Sequence, residues 1–202
     1  MKKLSCDDDG LSEAARIVIA GGLVVYPTDT VYGLGCDPLN NDAVRRLEAT
    51  KGREKKPLPI LVDSIERAEQ LVSLGNEGRQ LAKRFWPGPL TIVAKLKEFN
   101  RDLLVSHRTA KLGIRIPSDS RTLRLIEMAG GMLVGTSANK SGQRSPSSAD
   151  EVLGVLGSSF DILLDGGVCQ LGIESTVIDV SEDQAAVLRS GALSAKELGI
   201  PT

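Results

Sequence analysis

The sequence predicts a mixed α/β domain, a twisted mixed β-sheet covered by helices. Short aliphatic runs at 23–26, 58–62, 90–96, 112–116, 132–134 and 161–164 have the length of strands. Segments with apolar residues at helical spacing alternate with them, the order expected of a sheet with helices packed on it. The composition is 41% hydrophobic and only 3% aromatic, so an ordinary globular core must be built from aliphatic side chains. A length of 202 residues suits one domain, and no repeat, low-complexity tract or linker divides 1–202.

The elements follow in order. Leu11, Ala14, Ala15, Val18 and Ile19 recur at helical spacing, and Gly21-Gly22 stops the helix. Leu23-Val24-Val25-Tyr26 is apolar on both faces, which predicts an interior strand of a covered sheet, and Pro27 ends it. Thr28-Asp29-Thr30 then lie at the carboxyl end of that strand, where ligands sit in open α/β sheets. The competing reading is a turn in which Thr28 or Asp29 caps a short helix. Gly33 and Gly35 leave room for a ligand close to the backbone. A helix over 43–50 is expected, capped by Asn41 or Asp42 and ended by Gly52. Leu58–Val62 is a strand, and 64–72 and 76–86 are helices with Ser64 and Asn76 as caps. Pro87-Gly88-Pro89 breaks the second of these and launches the strand Leu90–Leu96, with Trp86 taken as core or lid packing.

Leu112–Ile116 is a strand in which Arg115 interrupts the aliphatics. Period-two alternation puts Gly113 and Arg115 on one face and Leu112, Ile114 and Ile116 on the other. A buried guanidinium needs an anion, and internal candidates are Asp165 and Glu174. The helix at 118–128 is capped by Ser118 or Asp119. The strand Met132–Val134 runs into a second polar loop, Gly135-Thr136-Ser137-Ala138-Asn139, chemically like the first. A helix over 150–156, a strand over 161–164 and a closing pair of strands at 174–180 and 186–189 complete the chain.

Charge is balanced, 25 Lys+Arg against 26 Asp+Glu, so no global field draws the chain to nucleic acid or to a membrane. It is locally concentrated, however. Residues 45–56 hold six basic and two acidic side chains, a net of +4 against a whole-chain net of −1. Lys51 and Arg53 flank Gly52, so they read either as cations on a turn suited to phosphate or as part of a solvated charge run. Three separated cysteines and the lone His107 give no zinc spacing and indicate a reduced, cytoplasmic setting. No apolar window is long enough to span a bilayer.

Taken together, PTDTVYGLG, KGR, WPGPLT, GIRIP, TSAN with a following SG, SPSSADEV, DGG, ESTVIDV and VLRSG occur in one order along the chain. In that order they resemble the YrdC-like threonylcarbamoyl-AMP synthases, from about Leu11 to Leu198. The resemblance implies the YrdC-like fold in its short, single-domain form. It implies condensation of L-threonine, bicarbonate and ATP to threonylcarbamoyl-AMP and pyrophosphate, a nucleotidyl transfer that begins a tRNA modification. The nucleophile in that reaction is the carbamate of threonine, which suits a sequence with no Ser/His pair, paired catalytic carboxylates or reactive-cysteine motif. Mg²⁺ is implied as a companion of ATP, and no dedicated metal ligands are assigned.

Residue by residue, the resemblance implies catalytic roles for Lys51 and Arg53. A nucleotide end is implied for Lys51, Arg53, Ser137, Asn139, Ser145 and Arg189. Threonine contacts are implied for Thr28, Arg115 and Ser175, with Tyr32 fitting pocket wall and core equally. Arg115 is then expected to grip the threonine carboxylate and to matter little for stability. Glu54 and Ser190 stand where many members have proline, and the strand at 58–62 lacks a histidine found in some. The implied partners are a downstream tRNA threonylcarbamoyl transferase and an RNA contact, with no membrane. Two alternatives share the fold: an RNA-binding or ribosome-maturation factor without catalysis, and a carbamoyl-transferring relative. Low aromatic content and balanced charge disfavour the first, and the absence of accompanying modules disfavours the second.

Overall fold

The computed structural model describes residues 1–52, 56–100, 103–182 and 184–201. Its strands are β1 (Lys2–Ser5), β2 (Val24–Tyr26), β3 (Gly33–Gly35), β4 (Ile60–Val62), β5 (Val72–Ser73), β6 (Leu90–Leu96), β7 (Lys111–Arg115), β8 (Met132–Val134), β9 (Thr136–Ser137), β10 (Ile162–Asp165), β11 (Thr176–Asp179) and β12 (Ala186–Arg189). The helices are α1 (Asp8–Ile19), α2 (Asn41–Lys51), α3 (Ile65–Leu71), α4 (Gly75–Phe85), α5 (Ser120–Met128), α6 (Ala149–Leu156) and α7 (Ala195–Leu198).

The one sheet expected from sequence is two mixed sheets among the described residues. The first has the order β1-β10-β2-β3-β9, parallel from β1 to β2 and antiparallel beyond. The second has the order β12-β11-β6-β7-β4-β8, with β5 added beside β6. The chain passes from one sheet to the other at Gly135, between β8 on β4 and β9 on β3. A Cβ at Gly135 would lie 2.5 Å from Leu61 Cγ, so the bend requires glycine there. Such a switch within one apolar-to-polar run leaves no mark on hydrophobic periodicity.

The interior strand reads as expected. Leu23 and Val25 enter the larger core cluster, whereas Val24 and Tyr26 enter a second one beneath α1 and α5. Both faces of the first sheet are therefore covered. On the second sheet, Leu90, Ile92, Ala94 and Leu96 of β6 and Leu112 and Ile114 of β7 point into the core. Thr91, Val93, Gly113 and Arg115 point the other way, into a cavity. Strand alternation thus divides each sequence into a packed face and a polar floor.

Several local expectations are corrected. Residues 33–35 form β3, not the start of a helix capped at 28 or 29. Gly33 and Gly35 make room for protein, not chiefly for ligand. A Cβ at Gly33 would meet the Tyr26 ring at 2.7 Å, and one at Gly35 would meet the Val134 carbonyl oxygen at 2.5 Å. The cap of α2 is Asn40, whose side chain accepts from the amides of Asp42 and Ala43. Helix α4 starts at Gly75 with no side-chain cap, in place of a start capped by Asn76. Ser64 and Asp119 cap as expected, and Gly52 ends α2 in the left-handed region. The edge strand β1 and the single turn α7 were not expected; β1 is mostly exposed, so it carries no apolar pattern.

Gly35→Ala drives a methyl into the backbone at the junction of the two sheets. The expected loss of stability is about 1–3 kcal/mol, typical of overpacking a core. Urea unfolding measures it, and a midpoint equal to that of the native protein would refute the account.

Candidate active site

Between the two sheets lies a cavity of about 1210 Å³. Its wall on the first sheet comes from the loop after β2 and from β3 and β9, and its floor is the polar face of β6, β7, β11 and β12. Both polar loops singled out in the sequence meet there. Of the ten residues expected at the site, Thr28, Tyr32, Lys51, Arg115, Ser137, Asn139, Ser175 and Arg189 line the cavity. Ser145 does not line it, and Arg53 and Glu54 lie outside the described residues.

The basic segment separates into parts with different duties. Arg45 pairs with Asp42 on the exposed surface, and Arg46 makes two 2.7 Å bonds to Asp161 in a half-exposed pair. Lys51 is different: it ends α2, is only 3% exposed, and its Nζ donates to the carbonyl oxygens of Ser137 at 2.5 Å and Asn139 at 2.9 Å. This rules out a solvated charge run for Lys51. The ammonium fastens the second polar loop and leaves Ser137 Oγ to donate to Asn139 Oδ1 at 2.6 Å.

Arg115 is buried and clamped. Its Nε donates to the Gly88 carbonyl at 2.9 Å, Nη1 to Thr30 Oγ1 at 2.9 Å and Nη2 to Asp29 Oδ1 at 2.5 Å. Its internal partner is therefore neither Asp165 nor Glu174. Asp165 pairs with Lys3, and Glu174 pairs with Arg189 at 2.6 Å. Burial pulls the Arg115 pKa down, and the Asp29 carboxylate opposes that shift. Asp29 Oδ2 is buried with no hydrogen-bond partner among the described residues.

Thr28 serves its own loop. Its hydroxyl donates to the Val31 carbonyl, accepts from the amides of Thr30 and Val31, and meets Thr30 Oγ1 at 2.8 Å. Tyr32 is both wall and core: it borders the cavity, while its hydroxyl donates to the Gly167 carbonyl and accepts from the Gly166 amide. Burial pushes its phenol up to about 12. Ser175 Oγ lies 2.9 Å from Thr91 Oγ1 and accepts from Arg189 Nη2 at 3.2 Å. Ser145 sits one residue behind the cavity, its hydroxyl donating to Glu174.

Sequence reasoning did not assign Asp29, Thr30, Thr91 or Glu174. The polar loop after β2 was visible, but which of its members would meet Arg115 depends on how the sheets dock. The lining contains neither histidine nor cysteine among the described residues. The three thiols are free, and burial pushes Cys6 up to about 11 and Cys36 up to about 12, which suits packing and not nucleophilic attack.

An α/β frame that turns cations and hydroxyl-rich loops toward one large cavity is chemically suited to an anionic ligand of several oxygens. The chain belongs to the Sua5/YciO/YrdC family, whose model, described as telomere recombination, matches residues 16–191. It is 39% identical to the threonylcarbamoyl-AMP synthase of Pyrococcus abyssi over 187 residues, covering 92% of this chain and 55% of that protein. It is 38% identical to a putative threonylcarbamoyl-AMP synthase of Mycobacterium leprae, covering 92% and 84% of the two chains. A solved structure of P. abyssi Sua5 complexed with L-threonine superposes with a TM-score of 0.90 at 36% identity, over 97% of this chain and 58% of that one. The chain thus spans little more than half the length of the P. abyssi relative.

Removing Arg115 leaves Asp29 as an uncompensated buried charge. Arg115→Ala is therefore expected to cost about 3–5 kcal/mol, the usual penalty for breaking a buried pair. This replaces the expectation of a stability-neutral residue. Denaturant unfolding without any ligand is the check, and a loss below about 1 kcal/mol, the range of exposed pairs, would refute a structural role.

Proposed function

We propose that the chain condenses L-threonine, bicarbonate and ATP to threonylcarbamoyl-AMP and pyrophosphate, as a nucleotidyltransferase. The observation that most supports this reading is the convergence of eight implied site residues on one cavity. The P. abyssi protein complexed with L-threonine supports threonine as the amino acid.

On this reading the protein supplies geometry and charge, and the substrate supplies the nucleophile. Threonine's amine takes up bicarbonate carbon with loss of water, and an oxygen of the resulting carbamate attacks the α-phosphorus as pyrophosphate leaves. Arg115 spends one N–H of each terminal nitrogen on Thr30 and Asp29. A guanidinium has two on each, so one remains on either side for a carboxylate. Ser175 and Thr91 add hydroxyls beside it, and Tyr32 closes the wall. Lys51, Arg189 and Arg53 offset charge on the phosphates, with Ser137 and Asn139 as polar contacts. The cavity's two carboxylates among the described residues, Glu174 and Asp179, are held by Arg189 and Lys111. Mg²⁺ would therefore be held mainly by the nucleotide's phosphates, whose charge it offsets.

The intermediate would pass to a tRNA threonylcarbamoyl transferase, and the setting would be the cytoplasm. Among the described residues, no helix is long and apolar enough to cross a membrane.

The direct test is pyrophosphate release from ATP, expected only when L-threonine and bicarbonate are both present. Equal release with glycine would defeat the substrate assignment, and release that ignored bicarbonate would defeat the mechanism. Lys51→Ala is expected to lower turnover by on the order of a hundredfold, the usual cost of one preorganised electrostatic group. Steady-state kinetics would contradict this if the rate stayed within about twofold of wild type, the range of a surface substitution.

A further inference from the structure

In the cavity wall, one carboxylate holds two groups that the proposed function needs elsewhere. Glu174 precedes β11 and lines the cavity. One of its oxygens accepts from Ser145 Oγ, in the loop before α6, and the other pairs with Arg189 Nη1 at 2.6 Å, at the end of β12. Arg189 in turn donates through Nη2 to the Ser175 carbonyl at 2.9 Å and to Ser175 Oγ at 3.2 Å. Ser175 Oγ touches Thr91 Oγ1. A continuous chain of polar contacts therefore runs from Ser145 through Glu174, Arg189 and Ser175 to Thr91.

We propose that Glu174 is a resident anion of the nucleotide subsite, an internal stand-in that an incoming phosphate displaces from Arg189. The inference rests on the reading of Arg189 as a phosphate contact. The chemistry is competitive. A guanidinium that gives its best-aligned N–H groups to a carboxylate must release them before it can grip a phosphate in the same way. Glu174 also places a negative charge on the wall of a cavity meant for a polyanion, which raises the cost of entry. In exchange it keeps Arg189 extended toward Ser175 and ties the loop carrying Ser145 to the closing strand. Glu174 is thus a positioning residue that acts through Arg189, with no part in bond making.

A merely structural Glu174 and a displaceable one predict opposite signs. Glu174→Gln keeps the size of the side chain and an acceptor for Ser145 but removes the charge. Titration calorimetry with Mg-ATP, without threonine or bicarbonate, is expected to show binding tightened about two- to fivefold, the strength of a half-exposed ion pair. The tightening is expected to vanish in an Arg189→Met background, because a double-mutant cycle isolates what Glu174 does through Arg189. Unchanged or weaker binding by Glu174→Gln, with the wild type binding normally, overturns the proposal alone. Equal tightening in the Arg189→Met background also overturns it, because the effect would then be general charge removal. Absence of Mg-ATP binding in both the wild type and Glu174→Gln defeats the nucleotide reading and this proposal together.

Discussion

The buried pair of Arg115 and Asp29 joins the two sheets across the cavity. Arg115 stands on β7 of the second sheet, and Asp29 on the loop leaving β2 of the first. The same guanidinium holds Thr30 and the Gly88 carbonyl, while the main-chain oxygens of Asp29 and Thr30 accept from the amides of Leu171 and Gly172. Three segments distant in sequence are thereby anchored to one planar, permanently charged group. The desolvation that such a pair must overcome is large, so its net contribution to stability is modest even though its rupture is costly. It ties the loop after β2 to β7 at the floor of the cavity.

That double duty explains why Arg115 was hard to judge from sequence. Alternation along 112–116 located its face correctly, and its face is the cavity floor. The demand for an anionic partner was also legible. The partner's identity was not, because Asp165 and Glu174 were equally eligible carboxylates and are claimed by Lys3 and Arg189. The same limit recurs across the fold. Interior strands such as β2 and β6 were readable from their own apolar runs, and caps such as Ser64 and Asp119 from residue type. The exposed edge strand β1, the sheet switch at Gly135 and the hairpin partner β3 were not, since each is specified by what the chain packs against. Gly33 and Gly35 show the point most plainly: glycine was noticed, but its reason is the Tyr26 ring and the Val134 carbonyl across the strand.

Electrostatics at the site follows a common pattern, in which cations are held by protein oxygens and not left bare. Lys51 rests on two carbonyls, Arg115 on a carbonyl, a hydroxyl and a carboxylate, and Arg189 on a carboxylate, a carbonyl and a hydroxyl. Such groups are already oriented, so a ligand meets fixed dipoles and does not have to organise mobile side chains. The cation contacts also differ in kind. Carbonyl oxygens carry partial charge and compete weakly with phosphate, whereas a carboxylate competes strongly.

This difference sorts the three cations by availability. Lys51 rests on the carbonyl oxygens of Ser137 and Asn139, which carry only partial charge. Arg115 is compensated by Asp29, which is 4% exposed and bound into the loop backbone, so its charge cannot be released without unfolding that loop. It is accordingly suited to a ligand group that needs geometry more than net charge, such as a carboxylate set beside hydroxyls. Arg189 is compensated by Glu174, and both side chains are about a third to a half exposed, so water screens this pair more than the buried one. The two guanidiniums that line one cleft thus differ in their counter-ions, a half-exposed carboxylate for Arg189 and a buried one for Arg115.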